Sequence, residues 1–268
     1  MPIIPIKDAV GIAGMRASCR LARKVLEELV HRLEPGRTTG EVDKWAGELI
    51  AKEGARSAFL GYRKFPGQLC ISVNEEVVHG IGGPRRLAYG DVVKLDVGII
   101  LNSWVGDTAI TVGLGAISPS RRKLLERTEA ALMAGIAAAR GGNRLGEICH
   151  AVERTVKSAG YSVVKEFVGH GVGRKLHEEP QIPNFGKANA GPVLRPGMTL
   201  AIEPMVNEGA EEIRILKDGW TAITADRSDS AHFEHVVLVT EGDPEILTNV
   251  LKMRRVASIC CDCCPSIL

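Results

Sequence analysis

The sequence predicts an α+β domain. Four stretches carry apolar residues at helical spacing, short apolar strands dominate the rest, and the two kinds do not alternate in a regular βαβ rhythm. Neither common Gly-rich phosphate loop is present, which argues further against a doubly wound sheet.

From Asp8 to about Leu33, the residues Leu21, Val25, Leu26, Leu29 and Leu33 recur at spacings of three and four, and "EPGR" stops the helix. "TTGE" then offers Thr38 as an N-cap with Glu41 three residues later, and this second helix runs to Gly54. "LCISV" (69–73) reads as a strand, followed by the paired strands of "VVKLDVGIILNSWVGDTAITV" (92–112). "SPS" at 118–120 starts a third helix with Pro119 in its first turn, ending near Arg140 at Gly141-Gly142. The stripe Leu145, Ile148, Val152, Val156 and Ala159 makes a fourth, ended by Gly160. Strand patterns follow in "YSVVKEF", "MTLAIEPMV", "GWTAIT" and "HFEHVVLVT". One internal echo stands out. "YGDVVKLDVG" and "RPGMTLAIEPM" each place an acid, Asp96 or Glu203, six residues after a glycine on an apolar strand, as a duplicated half would.

Composition narrows the function. With 45 % hydrophobic and 25 % charged residues in a 268-residue chain, a substantial core is expected. A net charge of +2 gives no electrostatic case for specific nucleic-acid binding or for an anionic membrane surface. No apolar run approaches the ~20 residues needed to cross a bilayer. "MPIIPIKDAV" lacks the basic start and long apolar core of a signal peptide, so a cytoplasmic protein is expected. The seven cysteines suggest no disulfide framework. Cys260, Cys261, Cys263 and Cys264 are too close together for an ordinary zinc loop, and residues 256–268 read as a frayed, redox-sensitive tail behind a single catalytic domain at 1–255.

Chemistry concentrates on strands. If the hairpin turn is centred between Leu101 and Asn102, residues whose numbers sum to 203 face each other, and Asp96 faces Asp107. Directly opposed side chains lie roughly 4.5–5.5 Å apart at Cβ. Two carboxylates there repel, and burial adds a desolvation cost. A wet strand end, an arginine for each acid, or bound cations would compensate. "GHGVGRKLHEEP" holds His170 and His177 seven residues apart, in a glycine-rich turn that lets backbone pass close to a ligand. Glu203 ends the strand of "AIEPMV" and Glu234 begins the strand of "HFEHVVLVT". Four carboxylates contribute −4, which two divalent ions at +4 neutralise. Oxygen-rich ligation with one imidazole suits Mn, Fe(II), Co, Zn or Ni, and two such ions sharing carboxylates activate a bridging water for hydrolysis.

These residues sit in stretches that resemble a known family. "EPGRTTGEVD", "CISVNEEVVHGI", "DVVKLDVG", "GDTA", "GHGVGRKLHEEP", "PGMTLAIEPM", "KDGWTAITADRSDSAHFEH" and "EIL" match, in order and spacing, the type I (bacterial) methionine aminopeptidases of peptidase family M24, from about Asp8 to Leu247. The resemblance implies the pita-bread fold, a curved and mostly antiparallel sheet backed by helices, with pseudo-two-fold halves. It implies that Asp96 chelates one divalent metal, that His170 and Glu203 bind a second, and that Asp107 and Glu234 bridge them. It assigns catalytic roles to His79, facing the scissile amide, to His177, on the substrate carbonyl, and to Glu203 as proton shuttle. A methionine pocket of Tyr62, Phe65, Cys70 and Trp220 is implied, with Phe59 and Leu176 nearby.

The implied activity is removal of the initiator methionine from nascent polypeptides, after deformylation, when the second residue is small and uncharged. The expected protein is a monomer. Arg121-Arg122-Lys123 reads as a solvated helix start, with a transient ribosome contact as the alternative. Taken alone, Cys70 and Trp220 would be read as core. His232, on the Glu234 face of an extended strand, is expected no nearer than behind the ligands. Leu176 stands where the family often has an aromatic, "HGIGGPRR" lacks the family's proline after "HGI", and the Cys-rich tail is not a family feature.

Overall fold

Local signals place the helices. The Asp8 side chain accepts the Gly11 N–H and opens α1 (Ala9–Arg32). Thr38 and Glu41 close a reciprocal capping box on α2 (Thr39–Lys52): the Glu41 N–H donates to Thr38 Oγ1 at 3.1 Å and the Thr38 N–H to Glu41 Oε2 at 2.7 Å. Ser118 caps α3 (Pro119–Ala138), with Pro119 in the first turn. α4 (Leu145–Ser158) follows Arg144 and buries Leu145, Ile148, Val152 and Val156. The computed structural model describes residues 3–249, and the Cys-rich segment lies outside them.

The helices back a nine-stranded antiparallel sheet. Along it run Val92–Leu101, Trp104–Gly113, Glu234–Leu238, Thr199–Ile202, Gly169–Gly171 and Glu178–Ile182, and Cys70–Val73 pairs with the first of these. Val93, Leu95, Val97 and Ile99 turn toward α1 and α2 and join a core with Leu26, Leu29, Val42 and Ile50. In the other half, Leu200, Ile202 and Val237 pack with Leu132, Ile136, Ile148 and Val152 of α3 and α4. Strand side chains alternate, so the residues between these apolar ones face away from the helices. That opposite face carries the acids.

The internal echo corresponds to a repeated construction. Gly90 (φ 92°) and Gly197 (φ 90°) precede the two strands in the same left-handed conformation. Each donates its N–H to the end of the neighbouring long strand, to Leu114 O at 2.7 Å and Val239 O at 3.0 Å, and each neighbour returns a bond, Leu114 N–H to Asp91 O and Val239 N–H to Met198 O. Isolated bridges Thr38–Arg86 and Arg144–Val193 pin the starts of α2 and α4 in the same way. The halves are related by pseudo-two-fold symmetry, and the curved sheet with its four helices has the pita-bread arrangement.

Several local expectations are corrected. Asn102 (φ 49°) and Ser103 (φ 64°) form the hairpin turn, both in the left-handed region that a type I′ turn requires. Leu101 therefore pairs with Trp104, partner numbers sum to 205 rather than 203, and Asp96 faces Ala109 while Asp107 faces Gly98. His170 sits within the strand Gly169–Gly171, not in a turn. Of "YSVVKEF" only Ser162–Val163 is strand, Pro204 separates Thr199–Ile202 from Met205–Asn207, and Phe233 separates Ser230–His232 from Glu234–Leu238.

Candidate metal centre

Register alone brings the acids to one face. Asp96 and Glu234 both pair with Ala109, from its two sides, and Asp107 lies two residues before Ala109 on the same face. Across the next strands Val236 pairs with Ala201, and Ala201 pairs with His170. Val236 shares its face with Glu234 two residues away, and Ala201 shares its face with Glu203. Asp96, Asp107, His170, Glu203 and Glu234 thus converge, with the small side chains of Ala109 and Ala201 between them. The corrected register makes Asp96 and Asp107 diagonal rather than directly opposed, a spacing of roughly 7–8 Å. A slip of one residue would have put one acid on the helix side. The observed change in pairing keeps both on the same face.

Two glycines hold His170 in this sheet. A Cβ on Gly169 would stand 2.4 Å from Ala201 O, and one on Gly171 would stand 2.1 Å from Glu179 O. Their role is close approach to neighbouring backbone rather than to a ligand. Gly171→Ala is expected to cost about 3 kcal/mol or more, because the obstructing atom is a main-chain oxygen that cannot swing aside. Chemical denaturation would show this as a lowered midpoint with an unchanged slope.

Among the described residues, ligand atoms of Asp107, His170 and Glu234 lie within 4.8 Å of one another, all three buried. His170 Nε2 is 3.4 Å from Glu203 Oε1 and 3.9 Å from Asp107 Oδ2. The other ring nitrogen, Nδ1, lies 3.0 Å from Gly171 O. A carbonyl only accepts, so Nδ1 carries the proton and the Nε2 lone pair faces the carboxylates. Burial holds the ring neutral, pushing its pKa down to about 3. Asp96 Oδ1, Asp107 Oδ1 and Glu234 Oε1 are buried without a hydrogen-bond partner among the described residues. Burial and mutual repulsion lift Asp96, Glu203 and Glu234 well above the usual carboxylate range, and burial lifts Asp107 to about 7. Acceptor thus faces acceptor across a desolvated space. These donor atoms fit divalent cations, which satisfy a neutral imidazole and several carboxylate oxygens together.

Most of the chain has close counterparts. The model of metallopeptidase family M24 matches residues 13–241. The chain belongs to metallopeptidase family M24. Methionine aminopeptidase 1 of Bacillus subtilis is 48 % identical over 88 % of this chain and 95 % of its own length. Crystal structures of methionine aminopeptidase from Thermotoga maritima (42 % identity) and Rickettsia prowazekii (37 %) each superpose with a TM-score of 0.91, over 92 % of this chain and 100 % of theirs. A prolidase from Pyrococcus furiosus shares the fold, with a TM-score of 0.75 at 24 % identity, and is covered over 66 % of its length.

Around the M24 acids lies a cavity of ≈ 770 Å³, lined also by His79, His177, Tyr62, Phe65, Cys70, Trp220, Phe59 and Leu176. Cys70 pairs with Asp96 across the sheet and points to the same face. Phe65 and Trp220 meet edge-on with centroids 5.1 Å apart. His79 packs edge-on against Phe167 at 4.9 Å and takes a left-handed backbone, φ 61°, unusual outside glycine. Burial lowers its pKa to about 4, helped by nearby His177. The Tyr62 hydroxyl lies 2.7 Å from His177 Nδ1. Leu176 is buried in the wall, and Gly82 sits in the loop that lacks the family's proline.

Two residues of the M24 pocket exceed the sequence reading. His232 reaches the acids directly, with Nε2 3.5 Å from Glu203 Oε2, while neither ring nitrogen has a hydrogen-bond partner. Its place on the Glu234 face was the available signal. Phe167 beneath His79 had no signal beyond its apolar character. His235 turns away and bonds Thr248 Oγ1.

Proposed function

We propose that this M24 enzyme is a methionyl aminopeptidase. It removes the N-terminal methionine from new polypeptides, after deformylation, when the second residue is small and uncharged, and it works as a cytoplasmic monomer. The observation carrying this reading is the neutral His170 aimed at Glu203 and Asp107 among unpartnered acids. The strong likeness of most of the chain to methionine aminopeptidases supports it.

In this reading Asp96, Asp107, His170, Glu203 and Glu234 hold two divalent ions, drawn from Mn, Fe(II), Co, Zn or Ni. When bound, the ions supply Lewis acidity to a water and to the scissile carbonyl. Glu203 would move a proton from water to the departing amine, taking it as general base and returning it as general acid. With the Tyr62 phenol donating to Nδ1, His177 keeps its proton on Nε2 and can donate it to the substrate carbonyl. His79 orients the scissile amide from its neutral ring. Tyr62, Phe65, Cys70 and Trp220 receive the methionine side chain, whose sulfur gains from aromatic edges. Arg121 is already engaged, pairing with Asp229 at 2.7 Å, which leaves the adjacent Arg122 and Lys123 for any transient ribosome contact.

Methionine release from Met-Ala-Ser decides the matter. Chelator-stripped protein should be inactive and should regain turnover with at least one of those five ions. A proline-containing dipeptide should be cut far more slowly. Failure to release methionine with every ion would refute the proposal, and preferential cleavage of the dipeptide would favour the prolidase-like alternative.

A further inference from the structure

Lys94 is a lysine with 2 % exposure on the same strand face as Asp96, two residues away. Among the described residues, no carboxylate bonds its ammonium. It donates instead to two main-chain carbonyls, Asn74 O at 2.6 Å and Ser230 O at 2.8 Å. Lys94 pairs with Ser72 on one side and Thr111 on the other, so the three form one polar row across three strands. The flanking members also grip backbone. Ser72 Oγ accepts the Gly80 N–H at 3.0 Å, next to His79. Thr111 Oγ1 donates to His232 O at 2.7 Å and accepts the His232 N–H at 2.9 Å.

The row therefore holds the segments that bring His79 and His232 to the cavity, and it lies one step along the strands from the row Cys70, Asp96 and Ala109. Burying an ammonium is costly, and an apolar residue would suit a merely structural position better. We propose that Lys94 is a positioning residue: its ammonium, with Ser72 and Thr111, sets the His79 and His232 segments against the acid-bearing sheet. The inference rests on the peptidase reading for its catalytic consequence, but not for the cation cage itself.

Lys94→Ala tests it by chemical rescue. The variant leaves two carbonyl oxygens around a space that a small ammonium ion can enter. Ammonium or methylammonium chloride, present during refolding and assay, is expected to raise the variant's melting temperature in a saturable manner. Tetramethylammonium chloride at equal ionic strength should not, because it has no N–H to donate. With metal loaded, the variant's kcat for Met-Ala-Ser should fall about 10–100-fold, the range seen when groups supporting a metal site are removed. KM should change much less, and methylammonium should recover part of the loss. A purely structural lysine would lower the melting temperature while leaving the kcat of folded protein intact, and that result would overturn the proposal. So would the absence of any difference between methylammonium and tetramethylammonium. The melting readout uses no turnover, so a wild-type protein inactive on Met-Ala-Ser would count against the peptidase reading and leave the cage test standing.

Discussion

Asp107→Asn should abolish metal-dependent turnover, by about a thousandfold or more, and at the same time make the metal-stripped protein more stable. The first effect follows from its place: Asp107 is buried against His170 and Glu234 and is one of the two acids proposed to bridge the ions. Loss of several kcal/mol of electrostatic stabilisation reaches that factor, since about 1.4 kcal/mol is tenfold. The second effect follows from the unpartnered Oδ1 and from the pKa raised to about 7. The amide removes a charge that its neighbours repel and adds a donor they can accept, so about 1–2 kcal/mol of extra stability is expected. Turnover with metal content after dialysis measures the first effect, and thermal melting in chelator the second. A variant that binds metal and turns over normally would exclude Asp107 as a bridge.

Metal removal should lower stability, and by more as pH climbs through neutrality. In the stripped protein, Asp96, Glu203 and Glu234 are held well above the ordinary carboxylate range, and Asp107 at about 7. A raised pKa favours folding below the unfolded value, and that contribution is lost as pH climbs through the folded value. His79 at about 4 and His170, His232 and His235 at about 3 act oppositely, adding stability as pH rises toward 6.5. Below pH 6.5 the two sets oppose each other. Above it the imidazoles are neutral in both states, the acids lower stability as pH climbs, and Lys94, whose pKa burial lowers to about 7, raises it. Lys94 contributes to stripped and loaded protein alike. The gap between their melting temperatures should therefore widen as pH climbs through about 7, where Asp107 of the stripped protein loses its proton. A divalent ion at a hundred times its dissociation constant adds about 2.7 kcal/mol per site, or roughly 5–10 °C for a domain of this size. Loaded protein should accordingly melt higher, by a margin that grows with pH. Coincident curves with and without metal across this range would contradict the assignment.

Much of this site was legible because its chemistry lies on regular elements. Asp96 and Asp107 stand out in an apolar alternation, and alternation fixes the face even where the register is misjudged. The misjudgement has a local cause: Asn102-Ser103 is a weaker turn signal than Asn-Gly, because a serine rarely takes the left-handed conformation it adopts here. The His170 strand was hidden by its own glycines, which disfavour strands in isolation and are tolerated here for close sheet packing. Lys94 was hidden for a different reason. Its partners lie 20 and 136 residues away, and no pattern within one strand reports a contact of that range. The capping signals of α2 and α3 were read correctly because each is complete within a few residues.

The order of strands has a consequence for how the enzyme matures. Glu234–Leu238, among the last strands in the chain, lies between Trp104–Gly113 of the first half and Thr199–Ile202 of the second. It is the seam that joins them. Without it, the strand pairings leave two separate part-sheets, one with Asp96 and Asp107, the other with His170 and Glu203. The proposed metal site is thus incomplete until the closing strand slides in with Glu234.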